Sequence, residues 1–228
     1  MFSPLGRKAL AEFVGTAGLV AAVVGSGIAA ERMSPNDVGL QLLENAVATT
    51  LALVALILTF GSVSGAHINP VVTAVAFARR EMGGRAAAAY VVAQMAGGVA
   101  GAILANAMFA RPLLDSATHV RTGAALWLGE VVATAGLLLV IHGTLASNAK
   151  AVPFAVGAYI GAAYWFTSST SFANPAVTIA RACSDSFAGI AWASVPAFVA
   201  AQVVGAAAGF LLLAVLFPGW ARRGEKAP

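Results

Sequence analysis

The sequence is poor in charged residues and in cysteine. Only 10% of its 228 residues are Asp, Glu, Lys or Arg, while 60% are hydrophobic, and a soluble domain carries roughly 25% charged residues. Such a chain cannot cover a water-soluble globule with polar side chains, so we expect a protein of the lipid bilayer. The single cysteine, Cys183, excludes an intrachain disulfide and a site built from several thiolates.

Recognisable catalytic motifs are also missing. The chain has no His-Glu-x-x-His, no Gly-x-Ser-x-Gly and no run of closely spaced metal ligands, which are the patterns typical of zinc proteases and serine hydrolases. An intramembrane enzyme is therefore disfavoured, and we expect neither a metal nor a cofactor.

Long apolar stretches are abundant. A helix needs about 20 apolar residues to cross a bilayer, and stretches near that length predict six transmembrane helices at about 9–30, 40–60, 84–109, 123–145, 151–168 and 191–217. The predicted fold class is an all-α membrane protein.

The chain repeats itself. Asn69-Pro70-Val71 follows the second predicted span, and Asn174-Pro175-Ala176 follows the fifth. Glu12 and Glu130 open the two halves in similar sequence contexts, and both halves carry an Ala-Gln pair in their last span. We therefore predict a single domain over 1–228 with one repeat at 1–110 and a second at 120–218. Three spans in each half make the second repeat inverted relative to the first.

Each Asn-Pro pair predicts the start of a short helix, because asparagine is a favoured N-cap and proline suits the first helical position. The predicted half-helices, about 69–79 and 174–184, cover roughly 15 Å at the helical rise, or half of the ~30 Å hydrocarbon core. Their starts would meet near the midplane beside a polar passage. We expect each asparagine NH2 group to stay free for a solute, and the helix dipoles to disfavour cations.

Basic residues predict the orientation. Lysine and arginine concentrate in short cytoplasmic loops, and most of them fall on the side of both termini: Arg7, Lys8, Arg79, Arg80, Arg85, Lys150, Arg222, Arg223 and Lys226. We expect cytoplasmic termini. This bias explains the net charge of +4 without a nucleic-acid partner.

The segment Ser64-Gly65-Ala66-His67-Ile68-Asn69-Pro70 resembles the first signature of the aquaporin, or major intrinsic protein, family, and the similarity covers nearly the whole chain. The resemblance implies six transmembrane helices plus two half-helices, a pore through each subunit, and a homotetramer in the bacterial inner membrane. It places Asn69, Pro70 and Val71 at the pore midplane with Asn174, Pro175 and Ala176.

Two residues depart from the family pattern. Val71 stands where alanine is usual, and we interpret it as packing against the other half-helix rather than selecting solutes. Val177 stands where the family normally has the arginine of the selectivity filter. A guanidinium carries five donors and a permanent charge, so its replacement by valine removes charge, bulk and donors together.

The other filter positions follow by counting back from the asparagines, which gives Thr49, Ala162 and Ser171. All are small, and neither the histidine of water-selective members nor the aromatic wall of glycerol-conducting members is present. The predicted filter is wide, uncharged and mildly polar.

Such a filter suits small neutral solutes rich in hydroxyl groups, such as glycerol and arsenous acid. The chain also resembles the aquaglyceroporins of bacterial arsenic operons, which implies a role in arsenic efflux or detoxification and extends the solutes to methylated arsenicals. A water-selective channel is the alternative. A coupled secondary transporter is a further one, and it would need carboxylates beside Asn69 and Asn174.

Four more residues are candidates for a role at the pore. Arg181 lies one turn beyond Val177 on the same helix face; it either supplies a charge at the pore vestibule or, as we favour, snorkels to the interface. His67 either lines the pore or braces its loop. For Glu12 and Glu130 we favour a structural role, accepting hydrogen bonds from the irregular loops, over a proton relay.

Overall fold

The computed structural model describes residues 3–217, and this part of the chain is helical and contains no strand. Its α-helices are α1 (Pro4–Met33), α2 (Val38–Ser64), α3 (Pro70–Ala78), α4 (Gly84–Met108), α5 (Ala124–Ser147), α6 (Val152–Phe166), α7 (Pro175–Arg181) and α8 (Val195–Leu216).

Five of the six predicted spans form helices long and apolar enough to cross a membrane, namely α1, α2, α4, α5 and α8. The fifth predicted span, 151–168, forms α6, which has only 15 residues after a 3-10 turn at Ala149–Ala151. At about 1.5 Å per residue α6 is roughly 22 Å long. It is shorter than predicted because the chain leaves the helix at Thr167, whose backbone is extended.

The half-helices are also slightly shorter than predicted. Helix α3 has nine residues, and α7 has seven. Helix α7 stops at Arg181, ahead of the predicted residue 184, because the amides of Ala182 and Cys183 bond three residues back, to Ile179 and Ala180. This tightening is common in the last turn of a helix.

The two halves of the chain have the same arrangement of helices. In the first half α1 packs against α2 and α4, and in the second half α5 packs against α6 and α8. Helices α2 and α6 join the halves, while α3 contacts α8 and α7 contacts α4. Each half-helix therefore lies between its own last long helix and that of the other half.

Glycines let the long helices approach closely. A Cβ atom at Gly97 or Gly101 of α4 would lie well inside van der Waals distance of the Phe13 and Ala17 carbonyl oxygens of α1. Gly205 of α8 meets α5 at Val131 in the same way. This contact between backbones places Glu12 and Glu130 at the centre of the bundle, where both are fully buried.

Candidate solute pathway

The two half-helices begin side by side in the middle of the bundle. Each is capped by its asparagine: the Oδ1 atom of Asn69 accepts from Val71 N at 3.0 Å, and that of Asn174 accepts from Ala176 N at 3.0 Å. Both asparagines are about 95% buried. The positive ends of two helix dipoles thus meet at one place.

The asparagine amides also tie the two loops together. Asn69 Nδ2 donates to the Ala173 carbonyl at 2.8 Å, and Asn174 Nδ2 donates to the Ile68 carbonyl at 2.8 Å. The expectation that the whole NH2 group stays free is therefore wrong, because one N–H of each group holds the opposite loop. An amide carries a second N–H, and that one has no partner among the described residues.

Glu12 holds the loop that precedes α3. Its Oε1 atom accepts from His67 N at 3.0 Å and from the Ser64 hydroxyl at 2.6 Å, and its Oε2 atom accepts from Ile68 N at 2.6 Å and Gln94 Nε2 at 2.7 Å. All four contacts are donors, so both carboxylate oxygens hold the loop and the side chain of Gln94 in place. Glu12 does not line the cavity described below.

Glu130 holds the loop that precedes α7 in the same manner. Its Oε1 atom accepts from Phe172 N at 2.8 Å, and its Oε2 atom accepts from Ala173 N at 2.9 Å and Gln202 Nε2 at 2.6 Å. The glutamates thus bind equivalent amides of the two repeats.

Both loops are strained at equivalent positions. At these equivalent positions four non-glycine residues adopt left-handed backbone, at a cost of roughly 1–3 kcal/mol each: Ala66 (φ 47°), Ile68 (φ 49°), Ser171 (φ 52°) and Ala173 (φ 48°). A trans peptide points its N–H and C=O in opposite directions. Since the amides of His67 and Phe172 point at the glutamates, the carbonyls on the other side of those peptides face away from them and can accept hydrogen bonds from a solute.

One cavity of about 290 Å³ runs past both asparagines. Much of its polar lining comes from the two loops, including His67, Asn69, Ser171 and Asn174. Its apolar lining comes largely from the long helices, with Leu19, Val23, Leu53, Ile57, Leu137 and Ile141 among its residues. The passage therefore offers both hydrogen-bonding groups and hydrocarbon surface to a solute.

The cavity extends towards both ends of the bundle. We call the end formed by Tyr164, Phe172 and Arg181 the α7 mouth, and the end formed by Glu81, His142 and Leu145 the α3 mouth. The α7 mouth lies at the C-terminal end of α4, where Asn106 Nδ2 donates to the Cys183 carbonyl at 3.0 Å. Helix α3 leads instead to the start of α4, so the two mouths are on opposite sides.

Three of the four predicted filter residues line the cavity, namely Thr49, Ser171 and Val177. Ala162 does not, and its prediction is wrong: its side chain is exposed on the outside of α6. The residues of α6 that line the cavity are Val152, Val156, Ile160 and Tyr164, which recur every fourth position. Tyr164 thus takes the place expected of Ala162, and its hydroxyl lies 3.0 Å from Thr49 Oγ1.

Arg181 does not snorkel to the membrane interface, which was the interpretation that we favoured from the sequence. Its side chain is only 2% exposed and lines the cavity. Its Cζ atom lies 3.4 Å from the centre of the Phe172 ring, and its Nε donates to the Ala188 carbonyl. The filter region is therefore neither uncharged nor free of aromatic rings. The signal in the sequence was the four-residue spacing from Val177, which puts both side chains on one face of α7.

Comparison with known proteins agrees with this architecture. Residues 3–168 match the sequence model of the family described as Major intrinsic protein. The chain belongs to the major intrinsic protein family. Proteins of this family are channels rather than enzymes, so the chain is a multi-pass membrane channel for small solutes.

Several relatives cover most of this channel. It is 48% identical to "Aquaglyceroporin AqpS" of Rhizobium meliloti (strain 1021), over 92% of this chain and 89% of that protein. It is 33% identical to "Probable aquaporin AqpM" of Archaeoglobus fulgidus, over 91% of this chain and 96% of the relative. The solved structure of the aquaglyceroporin from Plasmodium falciparum superposes with a TM-score of 0.69 over 95% of this chain and 98% of that chain, at 20% identity. The channel therefore has the aquaporin fold.

Val71 has a structural environment that the sequence did not predict. It is buried among Val75, Leu138, Ala206 and Leu213, a cluster on α3, α5 and α8 that contains no residue of α7. Contact of Val71 with the other half-helix stays a prediction. The next residue, Val72, lines the channel instead.

His67 both lines the channel and braces its loop. Its Nδ1 atom lies 3.0 Å from the Thr73 hydroxyl, and its ring meets Tyr90 edge to face at 5.3 Å.

Within residues 3–217 no group of three His, Cys, Asp or Glu side chains is placed to hold a metal ion.

The α3 mouth carries a polar cluster that sequence reasoning did not single out. Arg79 Nη1 lies 2.8 Å from Glu81 Oε1 and 3.0 Å from His142 Nδ1. His142 has no counterpart in the first repeat, so repeat symmetry gave no signal for it.

Proposed function

We propose that the chain is a passive channel for small neutral solutes rich in hydroxyl groups, with glycerol and arsenous acid as its solutes and methylated arsenicals as further ones. The observation that carries the proposal is the mouth around Val177. Valine lines the cavity where the family usually has arginine, and its shorter, uncharged side chain favours solutes larger than water.

The mixed polar and apolar lining of the cavity supports polyol-like solutes. A polyol presents hydroxyl groups on one side and C–H groups on the other. The asparagine amides and loop carbonyls suit the hydroxyls, while Leu19, Leu53 and Leu137 suit the C–H groups. The name of the rhizobial relative, an aquaglyceroporin, supports glycerol in particular.

Chemistry and the family resemblance both support arsenic compounds as solutes of the channel. Arsenous acid is a neutral trihydroxy molecule, so it presents the same donors and acceptors as a small polyol. The resemblance to the aquaglyceroporins of arsenic operons adds a role in arsenic efflux or detoxification. The positive charge of Arg181 at the α7 mouth suits the anions of acidic methylated arsenicals.

The setting of the channel is part of the proposal. The distribution of lysine and arginine supports cytoplasmic termini in a bacterial inner membrane, with the α3 mouth cytoplasmic and the α7 mouth outside. We propose the two repeats, 1–110 and 120–218, as units of one channel domain. A homotetramer is supported by the resemblance, and the exposed apolar side chains of Leu51 (63%) and Val92 (68%) suit a surface covered by lipid or by another subunit.

Stopped-flow permeability of proteoliposomes tests the proposal. We expect the protein to speed entry of glycerol and of arsenous acid over protein-free liposomes, and Val177→Arg to cut this entry at least 10-fold while water flow is retained. Val177→Leu is the matched control, because it adds bulk without charge or donors; it should reduce solute entry less than arginine does. Solute rates equal to those of empty liposomes, with fast water flow, would favour the water-selective alternative.

A coupled transporter has less support. Among the described residues that line the cavity Glu81 is the one carboxylate, and it lies at the α3 mouth rather than the midplane. Glu12 and Glu130 are occupied by the loop amides. Solute entry that does not change with an imposed proton or sodium gradient is the result expected for the channel.

A further inference from the structure

Arg181 is the last residue of α7 and lies deep inside the α7 mouth. It is one helical turn, or about 6 Å, beyond Val177, and both residues line the cavity. Its guanidinium is 98% buried, although arginine is almost never buried without a partner. This position calls for a function.

A rigid frame of backbone carbonyls holds the guanidinium. Arg181 Nε donates to the carbonyl of Ala188. The neighbouring carbonyls, of Gly189 and Phe187, accept from the side chain of Arg121 at 2.9 and 3.2 Å. Both arginines lie against the ring of Phe172, with Cζ atoms 3.4 Å (Arg181) and 5.3 Å (Arg121) from its centre. Arg181 is thus fixed in place rather than free to swing into solvent.

The charge of Arg181 is not matched by a direct partner. No carboxylate of the described residues lies within 4.0 Å of its nitrogen atoms. Its single hydrogen bond within residues 3–217 comes from Nε, so the donors on Nη1 and Nη2 are left for whatever enters the cavity. A fixed positive charge inside a passage enclosed by protein repels other cations more strongly than it would in bulk water.

The second half-helix also differs from the first at this position. Val72 and Val177 each lie three residues after their asparagine and line the cavity, and so do Ala76 and Arg181, seven residues after it. The α3 side of the pore thus carries alanine where the α7 side carries a cation.

We infer that Arg181 is the charge-selecting residue of this channel, placed one turn outside the position at which the family carries its filter arginine. The width and the charge of the pore at the α7 mouth are then set by different residues. Val177, Ser171, Thr49 and Tyr164 leave room for a polyol, while Arg181 excludes hydrated cations and protons. The inference rests on the proposed function, because a channel wide enough for glycerol needs such a barrier to keep the membrane sealed to ions.

The test is ion leakage in proteoliposomes that also report glycerol entry. Arg181→Gln removes the charge and keeps an amide donor for the Ala188 carbonyl, Arg181→Met removes both, and Arg181→Lys keeps the charge. We expect the glutamine and methionine variants to leak sodium ions or protons about 100-fold faster than the parent protein, an order of magnitude set by a unit charge about 6 Å away in a medium of effective dielectric near 20. Glycerol entry, measured in the same vesicles, should stay above that of protein-free liposomes in all three variants, and the lysine variant should stay sealed to ions.

A second set of variants leaves Arg181 in place. Val177→Glu puts a carboxylate one turn away, where it can pair with the guanidinium, and should raise the leak at least 10-fold over its neutral match Val177→Gln. This pair decides the question if the Arg181 variants do not fold. In addition, Val177→Arg with Arg181→Met should restore the seal and slow glycerol, since the charge returns to the narrow position.

The outcomes separate the inference from the proposed function. Fast glycerol entry with no leak in the Arg181 variants, or equal leaks in Val177→Glu and Val177→Gln, overturns the role of Arg181 and leaves the channel proposal standing. A leak in these variants without glycerol entry in the parent protein supports Arg181 and rejects the proposed solutes. Absence of both overturns both.

Discussion

Replacing Glu130 by glutamine should collapse the α7 mouth, because the carboxylate is the anchor of its loop. Glu130 is fully buried and accepts three hydrogen bonds, two from loop amides and one from Gln202. A glutamine offers one oxygen and one NH2 group, so at least one of the three donors would face another donor. An unsatisfied buried donor costs about 1–3 kcal/mol, and the remaining bonds lose their charge assistance at roughly 1 kcal/mol each.

The expected loss is therefore about 3–5 kcal/mol in the free energy of unfolding. For a chain of this size each kcal/mol moves the melting temperature by roughly 2–4 °C, so thermal unfolding in detergent should shift by about 10 °C. Glycerol entry should fall as well, because Phe172 and Ala173 lose the anchor of their strained backbone. Glu44→Gln is the matched control, since Glu44 accepts one hydrogen bond, from Ser34, and should shift the melting temperature by less than about 3 °C. If Glu130→Gln melts within that range too and conducts normally, the anchoring role is refuted.

Two further predictions follow from the packing. Tyr164→Ala should speed entry of polyols larger than glycerol, because Tyr164 lines the α7 mouth. The control Ala162→Leu should leave polyol entry within about twofold of the parent rate, because Ala162 is exposed outside the cavity. Equal effects of the two substitutions in the stopped-flow assay would contradict our placement of α6. Gly97→Ala should lower the free energy of unfolding by roughly several kcal/mol, and with it the folded yield and melting temperature, because a Cβ there collides with the Phe13 carbonyl. The control Gly61→Ala should be tolerated, because no atom from elsewhere in the fold lies within 4 Å of its added Cβ. A stable Gly97→Ala protein would mean that α1 and α4 are not in backbone contact.

The sequence predicted most of the fold because the fold depends on strong local signals. Apolar length located the long helices, and Asn-Pro located the starts of α3 and α7 to the residue. Ala162 was misplaced for a physical reason. The chain has four residues between α2 and Asn69 but seven between α6 and Asn174, and the longer loop contains left-handed backbone at Thr170, Ser171 and Ala173. Counting back through such a loop does not preserve the face of the preceding helix.

The buried position of Arg181 could have been predicted from the repeat, against the general tendency of a helix-terminal arginine to reach the interface. An arginine near the end of a helix commonly reaches the interface, but a half-helix of seven residues ends within the bundle rather than at its surface. Its pore-facing side is already defined by Val177, and position i+4 shares that side. Ala76 confirms the rule in the first repeat, where it lines the cavity at the same distance from Asn69. The two halves therefore present equivalent pore-facing positions, with valine at the first of them in both halves (Val72 and Val177) and alanine or arginine at the second (Ala76 and Arg181). The repeats thus differ at the second position, and the arginine there is the residue to which we assign charge selection.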